Sequence, residues 1–181
     1  MTLLVGLATR KGVWIGADSG SVADTFSISV PARKVWVSGE WIVGMAANWR
    51  ALELVKHAVR MPAPPATQAD VHKTIAIDVL DAVHAAFRER GFEYEHDSDD
   101  TRWYMLLGTK TRDGRASLSC LYSDDHNEQV RSATLGLGDE YAAGVLDERS
   151  DMTPETRIRH VFKRTARRYT GLRGPFPVES L

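Results

Sequence analysis

Short apolar runs separated by polar turns occupy the first third of the chain, and this pattern predicts β-strands. The predicted strands are residues 2–8, 13–18, 34–37 and 41–46. The turns Arg10-Lys11-Gly12 and Ser38-Gly39-Glu40 join them in pairs, as in hairpins. Because several of these runs are apolar at nearly every position, we expect a sheet that is covered on both faces.

The hydrophobic period changes to a helical one after residue 48, where apolar residues recur every three or four positions. The predicted helices are residues 49–59, 71–87, 139–149 and 153–169, and the further predicted strands are 103–107, 116–122 and 129–134. Since strands and helices come in separate runs, the pattern favours an α+β fold with helices outside stacked antiparallel sheets. We interpret residues 1–181 as a single domain.

Composition narrows the class of protein. The chain has 181 residues, of which 43% are hydrophobic and 26% charged, values typical of soluble globular proteins. The net charge of −1 gives the whole molecule little attraction for nucleic acid or anionic lipid. No apolar run approaches the ~20 residues that span a bilayer. The single cysteine, Cys120, excludes an internal disulfide, so we expect a cytoplasmic protein without a membrane segment.

Other polar groups give weaker hypotheses. The six histidines lack metal-ligand spacing, so we expect neither a metal nor another cofactor. The acidic stretch of residues 93–100 lacks the glycine of a calcium loop and is interpreted as solvated. Residues 157–173 carry seven Lys and Arg residues and no acid. A nucleic-acid face there is the distant alternative, and a solvated or subunit-contact face is the favoured one.

Thr2 is the candidate nucleophile because it directly follows the initiator methionine. Removal of Met1 would leave an α-amine and a hydroxyl on one residue. A hydroxyl is a weak nucleophile until a base takes its proton, and an α-amine with an ordinary pKa of about 7.7–8.0 can act as that base.

Two charged residues follow Thr2 at fixed spacing. Asp18 ends the second predicted strand and Lys34 opens the third, sixteen and thirty-two positions later. If the hairpin folds as predicted, Asp18 holds the Lys34 ammonium beside the Thr2 hydroxyl, where a cation lowers the hydroxyl pKa. Gly44 is a candidate amide donor to an oxyanion. Taken singly, Asp18 also fits an ordinary turn and Lys34 a solvated strand edge.

The spacing of Thr2, Asp18 and Lys34 resembles that of the proteasome β-type N-terminal nucleophile (Ntn) hydrolases, including the bacterial HslV-like peptidases. The similar segments are Thr2-Leu3-Leu4-Val5-Gly6, Gly16-Ala17-Asp18-Ser19, Ala32-Arg33-Lys34-Val35, Val43-Gly44-Met45-Ala46, residues 136–147 and Tyr169-Thr170-Gly171. The tail Arg173-Gly174-Pro175-Phe176 resembles an uncharacterised bacterial or phage branch of that family.

The resemblance implies a four-layer αββα sandwich and cleavage of peptide bonds by Thr2 through an acyl-enzyme ester. Lys34 would tune the nucleophile, Asp18 would fix Lys34, and the Gly44 amide would stabilise the oxyanion. The positions that correspond to the substrate pocket are Ser21, Ala32, Trp36 and Ala46. The resemblance also implies a peptide or unfolded-protein substrate, a homo-oligomeric ring and an ATPase partner that the sequence does not identify.

Two positions depart from the family pattern. Leu137 stands where the family has a serine, and Arg167 stands where it has an aspartate. Those two groups orient the terminal amine in the family, so Asp139, Thr170 or a water molecule would have to replace them. A catalytically silent subunit that serves assembly or partner binding is therefore the alternative function.

Overall fold

The computed structural model describes residues 2–23, 26–29, 33–92 and 102–181, with the backbone alone for residues 21–23 and 26–29. Predictions for Met1, the Ser21 side chain, Ala32 and the acidic stretch of residues 93–100 fall outside the described residues. Within these ranges, no helix has the length and apolar character needed to cross a membrane.

Most of the described strands form two antiparallel sheets. The first contains, in spatial order, β10 (Ser132–Gly136), β1 (Leu3–Thr9), β2 (Gly12–Ala17) and β11 (Val178–Ser180). The second contains β5 (Val35–Ser38), β6 (Trp41–Ala46), β7 (Tyr104–Lys110), β8 (Ala116–Tyr122) and β9 (Asn127–Val130). A separate hairpin is formed by β3 (Gly20–Ala23) and β4 (Phe26–Ser29). The chain is therefore a mixed α+β protein.

Two of the helices begin at a capping side chain. Asn48 accepts the Ala51 amide at 2.9 Å and starts α1 (Trp49–Ala58). The Thr153 hydroxyl accepts the Thr156 amide at the start of α5 (Pro154–Ala166), which follows α4 (Asp139–Glu148). Between α1 and β7 lie a 3₁₀ turn (Gln68–Asp70), α2 (Val71–Thr74), a π-helical turn (Ile75–Val79) and α3 (Leu80–Glu89).

Three clusters of buried apolar side chains connect these elements. The first joins the five-stranded sheet to α1, α2 and α3, and it includes Met45, Leu52, Val83, Trp103 and Leu107. The second lies between the two sheets and includes Leu4, Ile15, Ile42, Leu106 and Leu118. The third joins the four-stranded sheet to α4 and α5 and includes Val5, Val145 and Phe162. Each sheet therefore buries side chains on both faces, as the near-continuous apolar runs predict.

Glycines let large side chains of one sheet reach the backbone of the other. A Cβ at Gly6 in β1 would lie 3.0 Å from both Leu118 methyl carbons of β8. A Cβ at Gly108 in β7 would lie 2.8 Å from Val13 Cγ2 of β2. Because each glycine leaves a groove that a branched side chain fills, the two sheets interlock across the second cluster.

The predicted elements agree with the structure except at three places. The prediction of a single strand over residues 129–134 is wrong, because β9 and β10 belong to different sheets. The predicted helix over 71–87 is interrupted by a π-helical turn. The β3–β4 hairpin and β11 were not predicted, since they are short and β11 follows a stretch without a clear period.

Candidate active site

Three chain segments meet at one end of the four-stranded sheet. The β1–β2 pairing places Leu4 opposite Ala17, and the Asp18 amide donates to the Leu3 carbonyl, so Asp18 lies opposite Leu3. Thr2 is the residue directly before Leu3. Lys34 directly precedes β5 and donates to Asp18, so it joins them. The antiparallel register therefore brings together the three residues that the sequence spacing singled out.

The Asp18 carboxylate is fully buried, and both of its oxygens accept hydrogen bonds. Oδ1 accepts from the Leu3 amide at 3.0 Å and from Lys34 Nζ at 3.1 Å. Oδ2 accepts from the Gly20 amide at 2.7 Å. A buried carboxylate is costly unless it is paired and hydrogen-bonded, and these donors meet that requirement. A single oxygen atom of Asp18, Oδ1, therefore holds both the Lys34 ammonium and the first residue of β1.

Lys34 is 4% exposed and donates to both Asp18 and the Gly20 carbonyl oxygen. Burial lowers the pKa of the Lys34 ammonium, while the charge of Asp18 and its hydrogen bond act in the opposite direction. A buried lysine with a lowered pKa can give up its proton closer to neutral pH than an exposed one. Lys34 is therefore a buried cation, held by the same carboxylate oxygen that binds the amide of the residue after Thr2.

Thr2 is 8% exposed and is held through its backbone. The Leu137 amide donates to the Thr2 carbonyl at 2.8 Å, across from the Asp18 contact of Leu3. Gly136, with a φ of +101°, makes this approach possible, because a Cβ there would lie 2.0 Å from the Thr2 carbonyl oxygen. The glycine turn after β10 therefore positions Thr2.

Gly44, the predicted oxyanion donor, lies inside β6 between β5 and β7. A Cβ at this position would meet Ile15 Cγ2 at 2.9 Å, so the glycine serves the packing between the sheets. The Met45 amide donates to the Lys34 carbonyl at 2.9 Å, so strand alternation turns the Gly44 amide toward β7.

The two pocket candidates whose side chains the structure describes, Trp36 and Ala46, lie on different faces of the five-stranded sheet. Trp36 packs, half-buried, against the first cluster on the helix side of the five-stranded sheet. Ala46 belongs to the second cluster, on the opposite face of that sheet. Met45 is the neighbouring residue that lies in the cluster of Trp36. The structure therefore joins Trp36 with Met45 and separates it from Ala46.

Asp139 and Thr170 are the residues predicted to replace the missing amine-orienting groups. Asp139 Oδ1 accepts the Glu140 amide at 2.8 Å, so the carboxylate is turned to the start of its own helix. Thr170 is exposed, as is Arg167 at the end of α5. Leu137 packs against the third cluster.

The segment after Tyr169-Thr170-Gly171, which includes the family-like tail of residues 173–176, contacts the Asp18 turn. The Ser19 hydroxyl donates to the Pro175 carbonyl at 2.6 Å, and the Ser19 amide donates to the Arg173 carbonyl at 2.8 Å. The resemblance to the family predicts a loop here that returns to the site. The individual contacts, which join residues more than 150 positions apart, come from the folded chain.

The described histidines offer no metal centre. His57 pairs with Glu53 and His84 with Asp125, each at 3.1 Å. Over residues 2–23, 26–29, 33–92 and 102–181, no three His, Cys, Asp or Glu side chains are grouped so that they could hold a metal ion.

Comparison with solved structures identifies the fold. BPH from Thiobacillus denitrificans, solved in complex with epoxomicin, aligns over 100% of this chain and 98% of its own, with a TM-score of 0.79 and 15% identity. The chain has a proteasome-like Ntn-hydrolase fold. No protein-family model and no curated protein sequence matches the chain.

Two further structures share the proteasome-like fold. Anbu, an ancestral β-subunit, from Yersinia bercovieri has a TM-score of 0.73 at 14% identity over 100% of this chain and 81% of its own. Anbu from Pseudomonas aeruginosa, described as a helical assembly, has a TM-score of 0.70 at 17% identity over the same shares of the two chains. At these identities the likeness establishes the fold, and function has to be argued from the site.

Proposed function

We propose that the protein is a threonine-type peptidase in which Thr2, after removal of Met1, cleaves peptide bonds. The observation that carries this proposal is the shared oxygen of Asp18, which binds both the Lys34 ammonium and the amide of the residue after Thr2. A buried ion pair directly beside a small hydroxyl residue is an arrangement that perturbs proton affinity where chemistry needs it.

In the proposed reaction, Thr2 Oγ forms a bond to the carbonyl carbon of a peptide. The α-amine of Thr2, directly or through water, takes the hydroxyl proton and passes it to the leaving amine as the C–N bond breaks. Water then attacks the resulting ester, which releases the acid product and returns the proton to Thr2. No step requires an oxidant, a reductant or a cofactor.

Electrostatics supplies the activation of Thr2 in this proposal. The Lys34 ammonium stabilises the developing alkoxide, and Asp18 holds that ammonium in place. Because both charged groups are buried, water screens their effect on Thr2 weakly. A backbone amide near Lys34 would donate to the tetrahedral oxyanion. Trp36 and Met45 would line the pocket for the substrate side chain.

The test is covalent labelling combined with intact-mass measurement. We expect the purified protein to lack Met1 and to gain the mass of one epoxyketone, such as epoxomicin, whose two electrophilic carbons match a hydroxyl and an amine. Thr2→Ala should abolish labelling and peptide hydrolysis, while Thr9→Ala, at the other end of β1, should leave both unchanged. Retention of Met1, or labelling that persists in Thr2→Ala, would contradict the proposal.

The second candidate function is a silent subunit that keeps the fold for assembly. It is favoured by Leu137 and Arg167, which stand where polar and acidic groups would orient the amine. Arg167 is exposed and Leu137 is packed against apolar side chains, so neither supplies an acceptor. Loss of Met1 without any labelling at Thr2 would select this function.

The proposal also covers the layer arrangement of the fold, the branch of the family, the location in the cell and the state of assembly. The three apolar clusters support a single-domain, four-layer αββα sandwich. We place the chain in an HslV-like or related bacterial or phage branch, in the cytoplasm, as a homo-oligomeric ring that processes peptides or unfolded proteins with an unidentified ATPase partner. The helical assembly of the Pseudomonas aeruginosa Anbu supports self-association, with an open helix as the alternative to a closed ring.

A further inference from the structure

The structure contains a cleft of about 740 Å³ at the end of the sheets opposite Thr2. It is lined by residues 8–10 at the end of β1, residues 114–116 before and at the start of β8, residues 129–131 at the end of β9, and Gln68. Since β1 runs from Leu3 to Thr9 and each strand residue spans ~3.3 Å, the cleft lies roughly 20 Å from the candidate active site. It is therefore a separate feature of the molecule.

The backbone register brings three arginines to this cleft. The Ala8 amide donates to the Arg131 carbonyl at 2.8 Å, and Arg10 follows Ala8 in the β1–β2 turn. Arg115 precedes Ala116, which pairs with the last residue of β7. Each of the three side chains belongs to an exposed residue, and they come from three different turns. Their convergence is thus a product of the fold rather than of a basic run in the sequence.

The charges at the cleft are of one sign. No carboxylate is among its lining residues, and within the described chain neither Arg10 nor Arg131 is paired with an acid. Arg115 Nε lies 3.7 Å from Asp113 Oδ2, a long contact for an ion pair. A concave site lined by like charges concentrates its field and attracts the opposite charge. Guanidinium groups in particular bind phosphate oxygens in a bidentate manner.

The neutral part of the wall is polar as well. Thr9, Gln68 and Gln129 line the cleft, and the Gln129 amide is oriented by its hydrogen bond to Ser117 Oγ at 2.9 Å. Gln68 Oε1 is buried and has no hydrogen-bond partner among the described residues. A cleft of this volume is within the range of small-molecule sites, so it can hold a ligand larger than a single phosphate ion.

We propose that this cleft binds a phosphate-bearing small molecule of nucleotide size through Arg10, Arg115 and Arg131. The phosphate chemistry is common to inorganic polyphosphate and to nucleotides. This site is independent of the proposed peptidase chemistry, because it shares no residue with the Thr2 site.

Isothermal titration of the full-length protein with inorganic triphosphate, ATP and adenosine tests the site and distinguishes the two sources. We expect triphosphate or ATP to bind, and adenosine alone not to bind. Tighter binding of ATP indicates a nucleotide, and tighter binding of triphosphate indicates polyphosphate. Each of Arg115→Gln and Arg131→Gln should weaken binding about tenfold, because each removes a charge-assisted hydrogen bond.

Arg88→Gln provides the matched control, since it removes an exposed arginine from α3, away from the cleft. Its affinity should equal that of the wild type. The proposal is overturned if neither phosphate compound binds at millimolar concentration. It is also overturned if Arg88→Gln weakens binding as much as the cleft variants do. Unfolding curves of each variant confirm that an effect on affinity is not an effect on folding.

Discussion

At the scale of single residues, the Asp18–Lys34 pair is the feature with the largest energetic consequence. Both side chains are buried, and Asp18 also holds the backbone of Leu3 and Gly20. A buried ion pair contributes little net stability compared with apolar residues, but removing one partner leaves an uncompensated charge. The pair is therefore sensitive to any single change and tolerant of a matched double change.

Asp18→Asn should lower the free energy of unfolding by about 3–5 kcal/mol, because it strands the Lys34 ammonium in a buried site. The asparagine oxygen still accepts one amide, so the backbone contact is not the main loss. Adding Lys34→Met should restore much of the stability. Urea unfolding measures all three proteins, with Asp147→Asn on the exposed face of α4 as the control. A double variant no more stable than Asp18→Asn would contradict this account.

The lowered pKa of Lys34 predicts a pH dependence of stability. Between the folded-state pKa and the ordinary value of 10.5, the unfolded chain binds more protons at this group than the folded protein does. The stability of the wild type relative to Lys34→Met should therefore rise as pH increases through that window and be lost again as pH falls. Urea unfolding from pH 7 to 10.5 measures the slope, with Lys73→Met as the exposed-lysine control. A falling slope would show that Asp18 outweighs burial.

Sequence spacing was enough to single out Thr2, Asp18 and Lys34. In an antiparallel hairpin the start of one strand lies beside the end of the next, so residues at a fixed separation in the sequence become neighbours. Sequence spacing does not determine the direction of the Gly44 amide or of the Ala46 side chain. The direction of each amide and side chain of β6 depends on the hydrogen-bond register of the strand. A shift of the register by one residue reverses that direction. The register of Met45 with Lys34 supplied that information only in the folded chain.

At the scale of elements, the turn between β10 and α4 controls the position of β1. Gly136 has a φ of +101° and touches the Thr2 carbonyl, and the next amide donates to that oxygen. Gly114 has a similar φ of +84° but has nothing within 4 Å of its Cβ position. Substituting Gly114 therefore tests backbone strain alone, whereas substituting Gly136 tests backbone strain together with a steric clash.

Gly114→Ala should cost about 1–2 kcal/mol, which is the usual penalty for an L-residue in the left-handed region. Gly136→Ala should cost clearly more and should also slow labelling of Thr2, since the new Cβ collides with a backbone oxygen 2.0 Å away. Thermal unfolding and the labelling rate measure the two effects. Equal losses in the two variants would mean that β1 is not positioned by this turn.

Elements with a clear hydrophobic pattern could be predicted from the sequence. Elements that form only because a neighbouring strand pairs with them could not. Trp41–Ala46 coincides with its predicted strand, because it is apolar throughout and bounded by polar turns. The segment 129–134 reads as one extended run, yet it leaves one sheet and enters the other near Arg131. Strand β11 consists of three residues that are extended because β2 offers an edge. A local pattern holds no information about such an edge.

At the scale of the whole molecule, self-association is the expected state. Large apolar side chains that remain exposed in the described part of the chain are Val37, Trp49 and Ile77. Contacts between copies would cover such residues, and a net charge of −1 opposes association only weakly. The proteasome-like fold by itself does not specify the symmetry of an assembly.

Size-exclusion chromatography with light scattering should give a mass several times the 20.1 kDa of one chain. Thr2→Ala should have the same mass, because assembly rests on outer surfaces and not on the reacting hydroxyl. Electron microscopy then distinguishes a closed ring from an open helix. A monomer at every concentration tested would contradict the assembly proposal while leaving the labelling test of Thr2 intact.

The interlocked glycines of the two sheets also restrict how the molecule can deform. If the sheets moved past each other by one residue, Leu118 would leave the groove at Gly6 and meet a neighbouring side chain instead. Sliding of one sheet along the other is therefore blocked. Local opening has to increase the distance between the two sheets instead. Hydrogen exchange would then release the central amides of β1 and β8 together, in one cooperative event.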